Sequence, residues 1–213
     1  MVRDADFSLS ITAAVFDLGG VLIDWNPGNL YRKLIPDADE RHDFLTTICT
    51  PAWNAEMDAG RSVHQSVAAL AASHPERATL IEAWWTRWPE MLNGEIPGTR
   101  PLVEAIARTG LPLYAITNWS AETWPLGLQH YPFVEELFDG VVVSGQEEVA
   151  KPDRRLFGIL NDRYRLDPKT TIFVDDSAAN IETAAALGYI THLFTTADQL
   201  QLWLNQRGLL ETP

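Results

Sequence analysis

One stretch decides the fold of this chain: Ala13-Ala14-Val15-Phe16-Asp17-Leu18-Gly19-Gly20-Val21-Leu22-Ile23-Asp24. Its apolar start, which closes with Val15 and Phe16, predicts a short buried strand. Asp17 follows at once, and a carboxylate at the end of a buried strand is costly unless a cation or hydrogen bonds receive it. Gly19 and Gly20 then allow a sharp turn and bring peptide groups close to whatever binds there. The stretch predicts either a ligand site at a strand end or an ordinary turn capped by Asp17.

Length and composition describe a globular protein and limit its partners. The 213 residues, 46% of them hydrophobic, suit one larger domain with an insertion or two small domains. Lys and Arg number 16 against 29 Asp and Glu, and no basic cluster interrupts the net charge of −13. We therefore expect neither nucleic acid nor a membrane surface as a partner, and an anionic substrate would need a local cation.

Cysteine usage and the N-terminus bear on the compartment. Cys49 is the single cysteine, which excludes a disulfide within the chain and fits a reducing compartment. Residues 1–11 carry acids and lack the apolar segment of a signal peptide, and no apolar run approaches the roughly 18 residues of a membrane span. These features predict a cytoplasmic protein, whereas the oligomeric state stays unknown.

Two kinds of pattern divide the chain. From about Asn26 to about Asn93, apolar residues recur at helical spacing between Pro and Gly breakers, which predicts a small helical bundle. From residue 96 onward, helical segments alternate with apolar strand-like runs, as is typical of a parallel sheet with helices on both faces. We predict an α/β protein with a Rossmann-like parallel sheet core, residues 1–23 and 95–213, and an inserted α-helical cap, residues 24–94.

The alternating part of the chain predicts individual strands and helices. After the first strand, the predicted strands cover 113–117, 141–143, 171–174 and about 189–194. The predicted helices cover about 102–110, 120–129, 154–164, 178–187 and 199–204.

Polar residues that could carry chemistry stand at the ends of these strands, where open parallel sheets bind ligands. They are Asp17, Thr117-Asn118, Lys151-Pro152-Asp153 and Asp175-Asp176. The three carboxylates of Asp17, Asp175 and Asp176, a hydroxyl, an amide and an ammonium group are thus expected at one edge of the sheet. Ordinary alternatives are a strand-end turn at 117–118, a solvated loop charge at Lys151 and helix N-capping at 175–176.

The carboxylates of this edge are expected to hold a divalent cation. Three acids in a partly buried site would otherwise repel one another strongly. Oxygen-only ligands at a site open to a phosphate favour Mg²⁺ over Zn²⁺. The five histidines show no ligand spacing and are interpreted as surface or helix residues.

Four motifs make the sequence resemble the haloacid dehalogenase-like (HAD) hydrolase superfamily, specifically its phosphatase branch with a helical cap inserted after the first strand. They are Phe16-Asp17-Leu18-Gly19-Gly20-Val21, Ile116-Thr117-Asn118, Val149-Ala150-Lys151-Pro152-Asp153 and Phe173-Val174-Asp175-Asp176-Ser177-Ala178-Ala179-Asn180. The resemblance covers nearly the whole chain. It implies a Mg²⁺-dependent phosphatase that hydrolyses a small phosphorylated metabolite.

The resemblance also implies the nucleophile and the metal ligands. Asp17 would attack phosphorus and form an aspartyl-phosphate that water then hydrolyses. Asp17, Asp176 and the backbone carbonyl of Gly19 would hold Mg²⁺, which withdraws charge from the phosphoryl oxygens.

Three further motif residues would act on the phosphoryl group. Thr117 and the amide of Asn118 would donate hydrogen bonds to its oxygens, and Lys151 would contact it and stabilise developing negative charge. Asp175 would orient Lys151 or the water shell of the metal.

Gly19 departs from the pattern of many phosphatases of this superfamily. They carry a second Asp two residues after the nucleophile, where it protonates the leaving group and contributes about 10²–10⁴-fold. A subset with Gly at this position includes sugar-1-phosphate phosphatases, so a sugar phosphate is one candidate substrate. Asp24 and a residue of the cap are the candidates for protonating the leaving group in its place.

Two other functions stay open. A haloacid dehalogenase also has an Asp nucleophile without the second Asp, but it needs no metal and usually shows Tyr-Gly-Thr where this chain has Gly19-Gly20-Val21. A non-catalytic HAD-fold binding protein would keep the fold, but the intact Asp17, Lys151 and Asp176 argue against it. Magnesium-dependent phosphate release from p-nitrophenyl phosphate, lost in Asp17→Asn, would separate a phosphatase from both.

Tryptophans in and beside the predicted cap indicate an aromatic wall around the substrate. Trp84, Trp85 and Trp88 share one apolar stripe and are assigned to the core. The candidates for substrate contacts are Trp25, Trp53 and Trp119. Such a wall with a few polar groups suits a sugar or another small organic phosphate.

Overall fold

A five-stranded parallel sheet forms the centre of the protein in a computed structural model that describes residues 11–210. The seven strands of this part of the chain are β1 (Ala13–Phe16), β2 (Ile23–Trp25), β3 (Leu92–Glu95), β4 (Leu113–Thr117), β5 (Gly140–Val143), β6 (Thr171–Asp175) and β7 (Ile190–Leu193). The sheet has the order β5-β4-β1-β6-β7, with every neighbouring pair parallel. Strand β1 is central, so the residue that follows it lies in the middle of one sheet edge.

The helices are numbered in the same way. They are α1 (Pro27–Leu34), α2 (Ala38–Asp43), α3 (Pro51–Asp58), α4 (Val63–Ser73), α5 (Ala78–Thr86), α6 (Thr99–Arg108), α7 (Trp124–His130), α8 (Phe133–Leu137), α9 (Ser144–Glu147), α10 (Arg154–Tyr164), α11 (Ala178–Leu187) and α12 (Ala197–Asn205). A π-helical turn covers Phe44–Ile48, and 3₁₀ turns cover Pro75–Arg77, Trp88–Met91 and Pro168–Thr170. Between Ile11 and Leu210, none of these helices combines the length and the apolar character that crossing a bilayer requires.

Both faces of the sheet are buried, which confirms the predicted α/β architecture. Along β1, Phe16 belongs to one apolar core and Val15 to the other, because successive side chains of a strand point to opposite faces. Helices α6 and α12 contribute buried residues to the core of Phe16, and α10 and α11 contribute to the core of Val15. The strands therefore read as continuous apolar runs rather than as alternating ones.

Most predicted elements of this part match the structure closely. Helices 154–164 and 178–187 coincide with α10 and α11, and strand 113–117 coincides with β4. The predicted helix 120–129 was too long at its start, because residues 120–123 form a turn before α7. Helices α8 and α9 were not predicted; each has five residues or fewer, which is too short for a helical period to show.

The segment 27–91 is helical, as predicted from its apolar stripes. Each of its first four helices begins after a polar side chain that accepts a hydrogen bond from a backbone N–H of the first turn. These capping residues are Asn26, Asp37, Thr50 and Ser62. The interior of the segment is aromatic: Trp84 is 2% exposed and its ring lies 6.0 Å from that of Tyr31.

A two-stranded antiparallel ribbon flanks this helical segment, and the sequence did not predict it. Ile23 of β2 pairs with Glu95 of β3, and Trp25 pairs with Leu92. Helix was expected as far as Asn93, but β3 is mostly exposed and too short to show a strand pattern. The division into a core, residues 1–23 and 95–213, and a cap, residues 24–94, stays a prediction, and its ends at 1–10 and 211–213 lie outside the described residues.

Candidate active site

Asp17 lies at the end of the central strand, where the sheet ladder continues one residue past β1. Its backbone N–H donates to the carbonyl oxygen of Val174 at 2.9 Å. Its side-chain Oδ1 accepts a hydrogen bond from the N–H of Leu18 at 2.7 Å, and the residue is 7% exposed. The backbone thus fixes one carboxylate oxygen while a small part of the side chain stays open to the edge of the sheet.

Lys151 is a buried cation between two buried carboxylates. Its Nζ lies 2.9 Å from Asp17 Oδ2 and 2.7 Å from Asp175 Oδ2. It also donates to the carbonyl oxygen of Ile116 at 2.8 Å, so all three N–H donors of the ammonium group are used. This complete set of partners offsets the cost of burying the charge. A direct contact with a phosphoryl group would therefore require one of these bonds to exchange.

Asp175 is enclosed on every side by donors. Its Oδ1 accepts from the N–H of Ser177 at 2.8 Å and from Nδ2 of Asn180 at 2.9 Å. Its Oδ2 accepts from Lys151, and the side chain is fully buried. Asp175 thus contacts Lys151 directly, and orienting Lys151, one of the two roles considered for it, stays a prediction.

Asp17, Asp175 and Asp176 bring three carboxylates together. Each offers an oxygen within 4.8 Å of the others. The pKa of Asp17 is raised to about 7, chiefly by burial and also by the charges of Asp175 and Asp176, while Lys151 acts in the opposite direction. Burial and the charge of Asp175 also raise the pKa of Asp176. An oxygen-only donor set whose members repel one another fits a hard divalent cation.

Gly19 and Gly20 form the turn that leads away from Asp17. The N–H of Gly20 donates to the carbonyl oxygen of Ile23 at 3.0 Å, and its φ of +76° lies in the left-handed region that favours glycine. A Cβ on Gly20 would lie 2.2 Å from Asp176 Oδ2, whereas a Cβ on Gly19 would meet nothing within 4 Å. The turn therefore lies against Asp176 on one side and opens to free space on the other.

Thr117 and Asn118 lie at the end of β4, beside Lys151. The Oγ1 of Thr117 is buried and has no hydrogen-bond partner among residues 11–210. The side chain of Asn118 donates to the carbonyl oxygen of Lys151 at 2.9 Å and accepts from its N–H at 2.8 Å. The side-chain amide of Asn118 is thus committed to the protein, so its backbone N–H is the group that could meet a phosphoryl oxygen.

A cavity of about 50 Å³ opens beside Gly19 and Asn118. Its apolar lining is Trp25, Met57, Val63, Trp84, Trp88 and Trp119, and its other polar lining is Asn54, Asp58, Ser120 and Thr123. Trp25 and Trp119 both line this cavity, and their contact with a substrate stays a prediction. Trp53 is not one of the described residues that line the cavity, because its ring packs edge-to-face on Trp84 at 5.1 Å.

A second cleft, of about 300 Å³, shares Trp25, Asn54 and Trp84 with this cavity. Its remaining lining is Pro27, Leu45, Thr46, Cys49 and Pro51. Most of these side chains are apolar. The first cavity borders the sheet edge at Gly19 and Asn118, whereas the described residues that line the second cleft belong to β2 and the helical segment.

Sequence reasoning missed several residues of the cavity. Trp84 and Trp88 were assigned to the core; they are 2% and 4% exposed, and they also line the cavity. Asn54 and Asp58 were not singled out, although their spacing of four residues places them on one face of α3. This pair of polar residues on one helix face was the sequence feature that could have indicated a polar part of the site.

Comparison with known proteins identifies the family. The family model described as haloacid dehalogenase-like hydrolase matches residues 11–188. Because this match spans most of the chain, the protein belongs to the haloacid dehalogenase-like hydrolases.

Two relatives resemble the chain over most of its length. A sesquiterpene phosphatase of Aspergillus oryzae is 27% identical over 183 residues, which cover 84% of this chain and 87% of that protein. An acyl-CoA dehydrogenase family member 10 of Mus musculus is 33% identical over 194 residues, 85% of this chain but only 18% of that much longer protein.

The fold also matches a solved structure. A HAD family enzyme of Bacteroides thetaiotaomicron superposes with a TM-score of 0.70 and 21% identity, covering 91% of this chain and 98% of the other. The same enzyme has been crystallised in complex with magnesium and inorganic phosphate. At this identity, the likeness shows a shared fold.

Proposed function

We propose that this protein is a Mg²⁺-dependent phosphatase that hydrolyses a small phosphomonoester through an aspartyl-phosphate on Asp17. The observation that carries the proposal is the buried cluster in which Lys151 lies within 2.9 Å of both Asp17 and Asp175, with Asp176 beside them. The phosphatase relative and the magnesium and phosphate complex of the structural neighbour support it.

Asp17, Asp176 and the backbone carbonyl of Gly19 would hold the cation. When bound, Mg²⁺ neutralises negative charge on the phosphoryl oxygens and lowers the barrier to attack on phosphorus. Asp175 does not need to be a ligand, because both of its oxygens already accept hydrogen bonds from protein donors.

In the first step, the Asp17 carboxylate attacks phosphorus, the bond to the leaving oxygen breaks, and an aspartyl-phosphate forms. Water then attacks the same phosphorus and regenerates Asp17. Lys151 supplies a fixed positive charge throughout, since its three partners hold it in place. The unpartnered hydroxyl of Thr117 donates to a phosphoryl oxygen, which would satisfy a buried polar group.

The cavity and the cleft bear on the substrate. A small phosphorylated metabolite fits a site with a polar end and an aromatic wall, and a sugar phosphate is one candidate. The second candidate is an organic phosphate with an apolar group, such as an isoprenoid phosphate. The cleft of about 300 Å³ between Trp25, Leu45 and Trp84 favours this second class, as does the sesquiterpene phosphatase relative.

The other functions have weaker support. A dehalogenase would not need Asp176 to stand within 4.8 Å of Asp17, and a non-catalytic protein would not need the buried partners of Lys151. A cytoplasmic location is part of the proposal, since Cys49 is a buried free thiol and the net charge is −13. The same charge argues against nucleic acid as a partner.

Phosphate release with and without magnesium tests the proposal. The purified protein is assayed on p-nitrophenyl phosphate, a hexose 1-phosphate and farnesyl phosphate, with magnesium or with excess chelator. We expect release only with magnesium and a loss of at least about 10³-fold in Asp17→Asn. Preference for farnesyl phosphate would support the apolar substrate class. Equal release in chelator, or full activity in Asp17→Asn, would contradict the mechanism.

A further inference from the structure

The proposed reaction needs a proton donor that the turn after Asp17 does not provide. In-line attack by Asp17 drives the leaving oxygen away from the nucleophile, and an alkoxide leaves poorly without a proton. Gly19, two residues after the nucleophile, has no side chain. A Cβ there would meet nothing within 4 Å, so the space beside the nucleophile is open.

Among the described residues that line the cavity, Asp58 is the one acid. It is the last residue of α3, in the helical segment, and it lines the same cavity as Gly19 and Asn118 of the sheet edge. Two donors orient its carboxyl group. Nδ2 of Asn54 donates to its Oδ2 at 2.8 Å, and the backbone N–H of Ser120 donates to it from the turn after β4.

The environment of Asp58 suits a carboxyl group that carries a proton near neutral pH. Burial raises the pKa of Asp58 to about 7, and the hydrogen bond from Ser120 acts in the opposite direction. A general acid is most effective when its pKa lies close to the working pH.

We propose that Asp58 is the general acid and base of the phosphatase reaction, a role that rests on the proposed function. As the Asp17 carboxylate bonds to phosphorus and the ester bond breaks, the proton of Asp58 passes to the leaving oxygen and the alcohol departs. The Asp58 carboxylate then takes a proton from the water that attacks the aspartyl-phosphate. Inorganic phosphate leaves, and both Asp17 and Asp58 return to their starting states.

Asp24 is a weaker candidate for this role. It lies on β2, and its Oδ2 accepts a hydrogen bond from Nδ2 of Asn93 at 2.8 Å, across the ribbon. It is not one of the described residues that line the cavity.

Leaving-group dependence separates a proton donor from a residue that only supports the structure. p-Nitrophenolate leaves well without a proton, whereas a simple alkoxide does not. For Asp58→Asn we expect kcat/KM to fall about 10²-fold or more on an alkyl phosphate and less than about 5-fold on p-nitrophenyl phosphate. Glu56→Gln, an exposed change on the same helix, is the matched control and should change neither value.

A relocated acid provides the second test. The φ of Gly19 lies outside the left-handed region and a Cβ there meets nothing within 4 Å, so the backbone accepts an Asp at this position. The double variant Asp58→Asn, Gly19→Asp should have a kcat/KM on the alkyl phosphate at least about 10-fold higher than that of Asp58→Asn alone. Equal losses on both substrates in Asp58→Asn, unchanged activity on both, or no recovery in the double variant would overturn the role of Asp58.

The two proposals fail in different ways. If the wild-type protein releases no phosphate from either ester with magnesium, the proposed function is wrong. If wild type is active and magnesium-dependent but Asp58→Asn shows no selective loss on the alkyl ester, the role of Asp58 alone is wrong.

Discussion

The carboxylate of Asp176 occupies the space that a side chain on Gly20 would need. A Cβ at position 20 would lie 2.2 Å from Oδ2 and 2.6 Å from Cγ of Asp176. These two residues are far apart in the chain, yet one lacks a side chain where the other places a charged group. Gly20 is therefore required for two reasons, its positive φ and this close approach.

Gly20→Ala should destabilise the protein by about 1–2 kcal/mol, because alanine is strained at a φ of +76°. The carboxylate of Asp176 must also move, so magnesium affinity should fall. Thermal unfolding and magnesium titration measure the two effects. Gly19→Ala is the matched control and should leave the melting temperature nearly unchanged, because its Cβ meets nothing within 4 Å. Equal destabilisation by the two changes would contradict this account.

Lys151→Met should leave Asp17 and Asp175 buried side by side without their counter-ion. Breaking a buried ion pair in this way costs about 3–5 kcal/mol. Denaturant unfolding in chelator at pH 8 measures the loss. Lys33→Met serves as the control, since Lys33 pairs with Glu90 on the surface and its side chain is 53% exposed. A loss for Lys151→Met no larger than that for Lys33→Met would show that the buried cluster is not energetically important.

Without a metal ion, stability should fall as the pH rises from about 4 to about 7. The pKa of Asp17 is raised from 3.8 to about 7 in the folded protein, so between these values the folded state holds a proton that the unfolded state has released. Asp58 acts in the same direction. Each group contributes up to about 1.4 kcal/mol per pH unit. Unfolding measured in chelator across this range tests the sign.

Magnesium should reverse this trend, because it binds the ionised carboxylates. We expect its stabilising effect to be large at pH 8 and small at pH 5. In Asp17→Asn the decline with pH in chelator should be weaker. A stability that rises with pH in chelator would contradict the raised pKa of Asp17.

Thr117→Val should weaken anion binding without lowering stability. The Oγ1 of Thr117 is buried and unpartnered, so replacing it by a methyl group removes an unsatisfied hydroxyl. A hydrogen bond to a charged group contributes about 1.5–3 kcal/mol, so the inhibition constant of inorganic phosphate should rise about 10-fold or more. Thr99→Val is the matched control, since its Oγ1 is also buried and unpartnered but lies on α6. A similar rise for both variants would argue against a contact between Thr117 and phosphate.

Much of this arrangement follows from local sequence. The runs that end at Phe16, Thr117 and Asp175 are apolar and bounded by polar residues, so the strands and their common edge could be predicted. Helices α10 and α11 matched their predictions residue for residue; Asp153 caps the start of α10, and Gly188 at a positive φ ends α11.

Other features depend on tertiary contacts that no local pattern records. Strands β2 and β3 are short, and only their pairing with each other defines them. The aromatic stripe of α5 predicted a core, but it does not reveal that Trp84 also lines a cavity. Asp58 is a polar residue near a helix end, a position where acids are common. The sequence does not reveal that Asn54 and Ser120 donate hydrogen bonds to its carboxyl group.

The two hydrogen bonds between the Asn118 side chain and the Lys151 backbone limit where the length of the chain can change. They join the turn after β4 to the loop before α10, although 33 residues separate them. An insertion in either loop would displace the hydroxyl of Thr117 and the ammonium of Lys151 together. Length changes are therefore expected elsewhere, in connections that carry no such cross-link.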